Sequence, residues 1–357
     1  MTGKERFSRI LKHEQTDRIG LCEYFWSDTL KEYTKKGYMK PDELYEDRFN
    51  LDIQRFKPFN FTIDLDFKEQ VIEETEETIL AKDGNGAVLR RYKLHNTTPE
   101  HVDFTVKEKK DWDKVKELLQ NQDERRIDFE GYRKAKAGAE KAGRFFCCED
   151  FGPFALMHPV SGHEHTLMGM AYEPEWITEM AGTYAEMLIR LQKILFEREG
   201  YPDGVWYCDD LGYKESTFMS LGMYRDIILP AHSQLVDYAH GQDLPVVMHS
   251  CGFVEPLLPD MVDIGIDCLQ AIEVKAGMDL LRIYEKYGSR IALMGGIDVR
   301  VLLTNDKAQI DAELKSKIPI VKNGFGYVLH SDHSIPKEVC YDTLDYYFKK
   351  GLELGTY

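Results

Sequence analysis

Val246-Val247-Met248-His249-Ser250-Cys251-Gly252 is a short β-forming run that starts after the turn signal Gly241-Gln242-Asp243-Leu244-Pro245 and stops at a glycine. Runs of this kind recur through the second half of the chain: Phe145 to Cys148, Val205 to Cys208, Cys268-Leu269, Ile291 to Met294 and Tyr327 to Leu329. Helical stretches separate them, such as 174–199, where Trp176, Met180, Tyr184, Met187, Leu191 and Leu195 recur at helical spacing. Strands alternating with helices predict a parallel sheet. Adding runs at Ile19 to Tyr24 and Ile53 to Phe56 makes eight strands, the number that closes into a (β/α)8 TIM barrel of the α/β class. An open doubly wound sheet is the alternative, but no strand-to-helix turn has the glycine fingerprint of a dinucleotide site. With no internal repeat and no low-complexity linker, residues 1–357 read as a single barrel domain.

The N-terminal third elaborates this plan. Phe7, Ile10 and Leu11 mark one face of a helix over 4–13, and two further helical pieces fall at 28–36 and 41–48. The Phe-rich segment 55–67 fits no element. From about 70 to 106 the pattern is extended, with a strand over Val71 to Leu80, the turn Asp83-Gly84-Asn85-Gly86 and a strand over Ala87 to Tyr92, which predicts a β-hairpin. The charged stretch 108–141 reads as helical, with Trp112, Val115 and Leu118-Leu119 on its buried side.

The chain has 357 residues, 43% of them apolar, enough for a substantial core. A formal charge of −16 argues against nucleic acid or an anionic membrane surface as partner and for small molecules or a protein. The charged N-terminus and the absence of a long apolar run predict a cytoplasmic protein. Seven scattered cysteines fit reduced thiols.

The C-terminal ends of barrel strands share one bowl, so polar residues there converge. They are Glu23, Glu149-Asp150, Asp209-Asp210, His249 with Cys251, Glu273, Asp298, and His330 with His333. Carboxylates in such positions also serve simply as caps for the next helix. Three strand ends nevertheless offer imidazole, thiolate and carboxylate, the donor mixture zinc prefers, which makes His249, Cys251, Glu273 and His333 the candidate metal ligands. Such a set would leave the metal moderately electrophilic, suited to activating a thiol or polarising an ether or amine leaving group. Asp209, Asp210 and His330 are candidates to supply a proton or orient a substrate. The segment from Phe151 to His165 would line a substrate pocket with Phe154 and Glu164, and Tyr207 lies on the neighbouring strand.

Thr16-Asp17-Arg18, Cys208-Asp209-Asp210-Leu211-Gly212, Met248-His249-Ser250-Cys251-Gly252, Gly265-Ile266-Asp267-Cys268-Leu269 and Gly295-Gly296-Ile297-Asp298 together resemble the uroporphyrinogen-decarboxylase-like superfamily, and within it the zinc-dependent, corrinoid-linked methyltransferases. The resemblance implies a barrel whose bowl holds zinc, with His249 and Cys251 on the His-x-Cys ligand pair and Glu273 near a carboxylate ligand of some relatives. Thiol-activating members end their ligand set with a cysteine, where His333 stands here. That departure points to the branch that demethylates methyl ethers, or that passes methyl groups between a corrinoid carried on a partner protein and another acceptor. The decarboxylases hold their substrate with an arginine-rich N-terminal loop. Between Arg18 and Trp26 this chain has only Arg18, which disfavours tetrapyrrole decarboxylation. A metal-free decarboxylase or lyase is the alternative function, and a non-enzymatic barrel that binds a corrinoid protein or tetrapyrrole is a third.

Overall fold

The computed structural model describes residues 1–94 and 99–357. Strands β1 (Gly20–Leu21) and β2 (Ile53–Phe56) precede an antiparallel sheet of β3 (Gln70–Glu74), β4 (Thr78–Lys82), β5 (Val88–Tyr92) and β6 (Glu100–Asp103). Then come β7 (Phe145–Phe151), β8 (Gly204–Cys208), the small ribbon β9 (Gly212–Tyr213) and β10 (Ser216–Thr217), β11 (Val246–Ser250), β12 (Cys268–Ala271), β13 (Ala292–Gly295) and β14 (Tyr327–Leu329). Eight of them form one sheet in the order β1-β14-β13-β12-β11-β8-β7-β2, with every pairing parallel. This nearly closed barrel with surrounding helices is the predicted TIM-barrel architecture.

The sheet curls until β1 meets β2, and a carboxylate staples the seam. The Asp52 amide donates to Leu21 O at 2.9 Å, and its Oδ2 accepts the Leu21 amide at 2.8 Å. Arg6 and Arg18 close on the same buried carboxylate at 2.6 and 2.8 Å. Helix α1 (Gly3–Ile10), started by a capping box between Thr2 and Glu5, plugs the bottom of the barrel with Phe7 and Ile10. Above the plug the interior is filled by Cys22, Ile53, Phe145, Cys147, Trp206, Val247, Cys268, Ala292, Met294 and Val328. These set the parity of each strand: residues two further along point into the barrel one layer higher.

The N-terminal third differs from the expectation in detail. The extended region holds four strands rather than a hairpin, because Thr75 to Thr78 turns: the Thr78 amide donates to Thr75 Oγ1 at 2.9 Å. Residues 95–98, within the stretch read as extended, lie outside the described residues. Helices α2 (Ser27–Lys35) and α3 (Tyr45–Arg48) fall in the predicted regions, the second much shortened. The charged stretch divides into α4 (Lys109–Gln120) and α5 (Phe129–Ala142). The segment expected to line a pocket touches the cavity at Phe151 and Ala155 and otherwise forms helix α6 (Pro153–Tyr172), which kinks where Gly162 takes φ 67° against the Phe104 ring. Helix α7 (Pro174–Glu199) has proline in its first turn and ends at Gly200.

A candidate metal centre at the mouth of the barrel

The floor of the bowl is the next inward-pointing layer of the strands. Two residues beyond Cys22, Ile53, Cys147, Trp206, Val247, Cys268 and Val328 stand Tyr24, Arg55, Glu149, Cys208, His249, Gln270 and His330. Register agrees, pairing His249 with Cys208 on one side and Gln270 on the other. All of these but Arg55 line a cavity of about 320 Å³, together with Trp26, Lys57, Phe151, Asp210, Cys251, Asp332 and His333.

On one wall, Asp210, His249 and Cys251 bring a carboxylate oxygen, an imidazole nitrogen and a thiol sulfur within 4.8 Å of one another. His249 Nε2 lies 3.3 Å from Cys251 Sγ and 3.3 Å from Asp210 Oδ1. Tetrahedral zinc at its usual bond lengths would separate nitrogen from sulfur by about 3.5 Å and nitrogen from oxygen by about 3.3 Å, so the donor set fits that ion. His249 and Cys251 share a face because they are two residues apart on leaving β11. Asp210 reaches them because two loops touch: Gly252 has φ 78°, and a Cβ there would sit 2.3 Å from the Gly212 carbonyl carbon. The contact is tied by the Cys251 amide donating to Asp210 Oδ1 at 2.9 Å and the Leu211 amide donating to Ser250 Oγ at 2.9 Å. Burial works against the Asp210 anion, but hydrogen bonding and charge from His249, with the Cys251 amide, hold its pKa at about 2. Burial likewise opposes the His249 cation, yet Cys251 and Asp210 push its pKa up. Asp210 and His249 thus each stabilise charge on the other.

Behind His249, its Nδ1 is hydrogen-bonded to Gln270 Oε1, and Gln270 Nε2 lies 3.4 Å from His330 Nε2. Burial holds the His330 pKa down at about 3 and keeps the Glu23 carboxyl well above its ordinary range. Ser331 donates to Glu23 through its amide at 3.0 Å and its hydroxyl at 2.9 Å. Asp332 is pushed up to about 6 by burial, although the Val299 and Val274 amides donate to it. The opposite wall centres on Glu149, whose Oε1 accepts from Tyr24 Oη and faces Lys57 at 3.4 Å and Arg55 at 3.8 Å. The Arg55 guanidinium lies over the Tyr24 and Trp206 rings.

Several expected site residues stand elsewhere. Glu273 is not grouped with the donors: its Oε2 accepts the Gly252 amide at 2.6 Å and its Oε1 faces Lys275 at 3.1 Å, so it braces the loop beyond Cys251. His333 lines the cavity with its ring against Trp26, also outside the donor cluster. Asp210, expected to carry a proton, stands with the donors instead. Asp209 is buried and faces away, accepting the Phe154 and Ala155 amides at 3.2 and 2.6 Å and meeting His232 Nε2 at 2.6 Å. It anchors the start of α6 to β8. Phe154 packs against His163 and Phe218 in the core. Glu164 is exposed on α6. Tyr207 points outward, its hydroxyl donating to Gln192 Oε1 on α7 at 3.2 Å. Substrate contacts by Phe154, Glu164 and Tyr207 are therefore corrected to packing, solvent and helix anchoring. Gln270, Tyr24 and Asp332 escaped the sequence reading. Counting inward parity from Cys268 and Cys22 would have found the first two.

No helix among the described residues is long and apolar enough to cross a membrane. A methyltransferase structure from Methanosarcina mazei superposes with a TM-score of 0.69 at 18% identity, covering 99% of both chains. The methylated-thiol–coenzyme M methyltransferase of Methanosarcina mazei is 24% identical over 156 residues, 43% of this chain. That match spans 39% of the relative's length. The uroporphyrinogen decarboxylase (URO-D) family matches residues 146–350, more than half of the chain and all of the barrel from β7 onward, and the chain belongs to that family.

Proposed function

We propose that this protein is a zinc-dependent methyltransferase that moves a methyl group between a small methylated substrate, such as a methyl ether, and a corrinoid held by a partner protein. The observation that carries the reading is the Asp210, His249 and Cys251 cluster facing the cavity. The methyltransferases similar in sequence and in fold support it at the level of reaction class. Asp210, His249 and Cys251 would hold the ion, leaving a fourth position toward the cavity. Zinc bound there supplies Lewis acidity to the heteroatom that gains or loses methyl.

The chain's own residues bind and orient. Tyr24, Trp26 and Phe151 give the cavity aromatic walls for the body of the substrate. Lys57, poised over Phe151 at 4.2 Å and beside Glu149, presents a cation to a polar substituent. Asp332, with its pKa near 6, is the group on the cavity wall suited to exchange a proton near neutral pH. The decarboxylase alternative is weakened by Arg18, which pairs with Asp52 at the opposite end of the barrel and does not reach the bowl.

The test is methylation of reduced cobalamin by a panel of methyl ethers, methylated thiols and methylated amines, followed by absorbance. Zinc-dependent transfer lost in Cys251→Ser supports the reading. Zinc-independent turnover, or carbon dioxide release from a polycarboxylate, overturns it.

A further inference from the structure

We infer that Gln270 is a positioning residue for the metal centre: it fixes the tautomer and tilt of His249, and its own orientation is fixed by His330. The inference rests on the zinc reading above and adds to it a residue on a neighbouring strand. It follows from the chemistry of the groups in turn. His330 Nδ1 faces the Ser331 carbonyl oxygen. A carbonyl oxygen only accepts, so the proton of the neutral ring sits on Nδ1 and His330 Nε2 carries a lone pair. Across from that lone pair, at 3.4 Å, stands the Gln270 amide nitrogen, which only donates. The amide is thereby turned so that Oε1 faces His249 Nδ1. Oxygen again only accepts, so Nδ1 of His249 must hold a proton. Its Nε2 is then the atom available to a metal, and it is Nε2 that faces Cys251 Sγ and Asp210 Oδ1.

Geometry makes this a rigid linkage. Gln270 is paired in register with His249, both point into the barrel, and Gln270 is 1% exposed. An amide with its two ends reversed would set its oxygen against the lone pair of His330 Nε2. A single backbone carbonyl, Ser331 O, thus sets the direction of the whole chain of hydrogen bonds to the metal-facing nitrogen.

The experiment is a zinc titration against a chromophoric chelator for wild type, Gln270→Met and Gln270→Glu, with nitrogen-15 histidine spectra of the same proteins. Gln270→Met keeps volume but removes the acceptor, and its zinc affinity should fall about 10- to 100-fold, the usual effect of losing a partner behind a metal-bound imidazole. Gln270→Glu keeps the acceptor and should stay within about 3-fold of wild type on the same scale. The spectra should show a slowly exchanging Nδ1–H on His249, absent in His249→Ala and lost in Gln270→Met. Equal affinity in wild type and Gln270→Met, or a persistent His249 Nδ1–H in Gln270→Met, overturns the inference. If wild type takes up no zinc, the zinc reading fails, and the Nδ1–H signal alone then decides whether Gln270 orients His249.

Discussion

Replacing Gly252 by alanine should damage stability and metal affinity together, because one glycine lets two loops touch. Two costs can be separated. Alanine at φ 78° is forced into the left-handed region, at about 1–2 kcal/mol. The added Cβ would also lie 2.3, 2.5 and 2.7 Å from backbone atoms of Gly212. Ordinary carbon contacts begin near 3.5 Å, so the loops must part by about 1 Å. Neither neighbour is a flexible side chain, so this movement cannot be absorbed by a rotamer change. It would separate Asp210 from Cys251, and metal bonds tolerate displacements of only about 0.2 Å. We expect a loss of about 2–4 kcal/mol in urea unfolding and at least about 10-fold weaker zinc binding in chelator competition. Gly222→Ala, where an added Cβ meets only Ser220 Oγ at 3.9 Å, is the control and should be near neutral. A Gly252→Ala protein with wild-type zinc affinity would refute the claim that loop contact builds the donor cluster.

Other perturbations test other parts of the account. Asp52→Ala leaves Arg6 and Arg18 facing each other in the barrel seam without their shared carboxylate, and should cost about 3–5 kcal/mol in denaturant unfolding while zinc content per folded molecule stays unchanged. Asp209→Ala strands the Phe154 and Ala155 amides and His232; stability should drop by about 2–4 kcal/mol, yet zinc uptake should persist, whereas zinc loss without destabilisation would return Asp209 to the site. His158 stacks on His163 and beside His101 between the accessory sheet and α6, and burial, with the charge of both neighbours, lowers its pKa to about 4. Because the unfolded chain binds that proton near pH 6.5 and the folded chain only near 4, stability falls as the solution is acidified through this window. Wild type should lose stability relative to His158→Phe between pH 6.5 and 4 in urea unfolding, and an unchanged difference between the two proteins would dismiss the effect.

The barrel was legible because most of its strands hold short, buried apolar runs that alternate with helices. Side-chain direction was harder to read. Val205, Trp206 and Tyr207 are all apolar and fully buried, one face of β8 meeting the barrel interior and the other α7, so no polar alternation marks which way Tyr207 points. The adjacent pair Asp209 and Asp210 looks equivalent in sequence, but one step of the backbone puts the first under α6 and the second beside Cys251. The break between β3 and β4 in the accessory sheet was hidden for the opposite reason. Every residue of β3 is exposed, including Val71 and Ile72, so burial imposes no pattern. His249 and Cys251 stood out by their place where a strand ends, and the structure groups them with Asp210. Glu273 and His333 fall near the donor cluster, but Gly252 and Lys275 engage the first and the Trp26 ring meets the second.

Metal content of the protein purified without added metal, for wild type and for Cys251→Ser, His249→Ala, Asp210→Ala, Glu273→Ala and His333→Ala, tests the central claim most directly. The account predicts about one zinc per chain in wild type, lost in Cys251→Ser and His249→Ala, sharply reduced in Asp210→Ala and retained in His333→Ala. Well-folded wild type without zinc, or zinc lost with His333 and kept without Asp210, would contradict it.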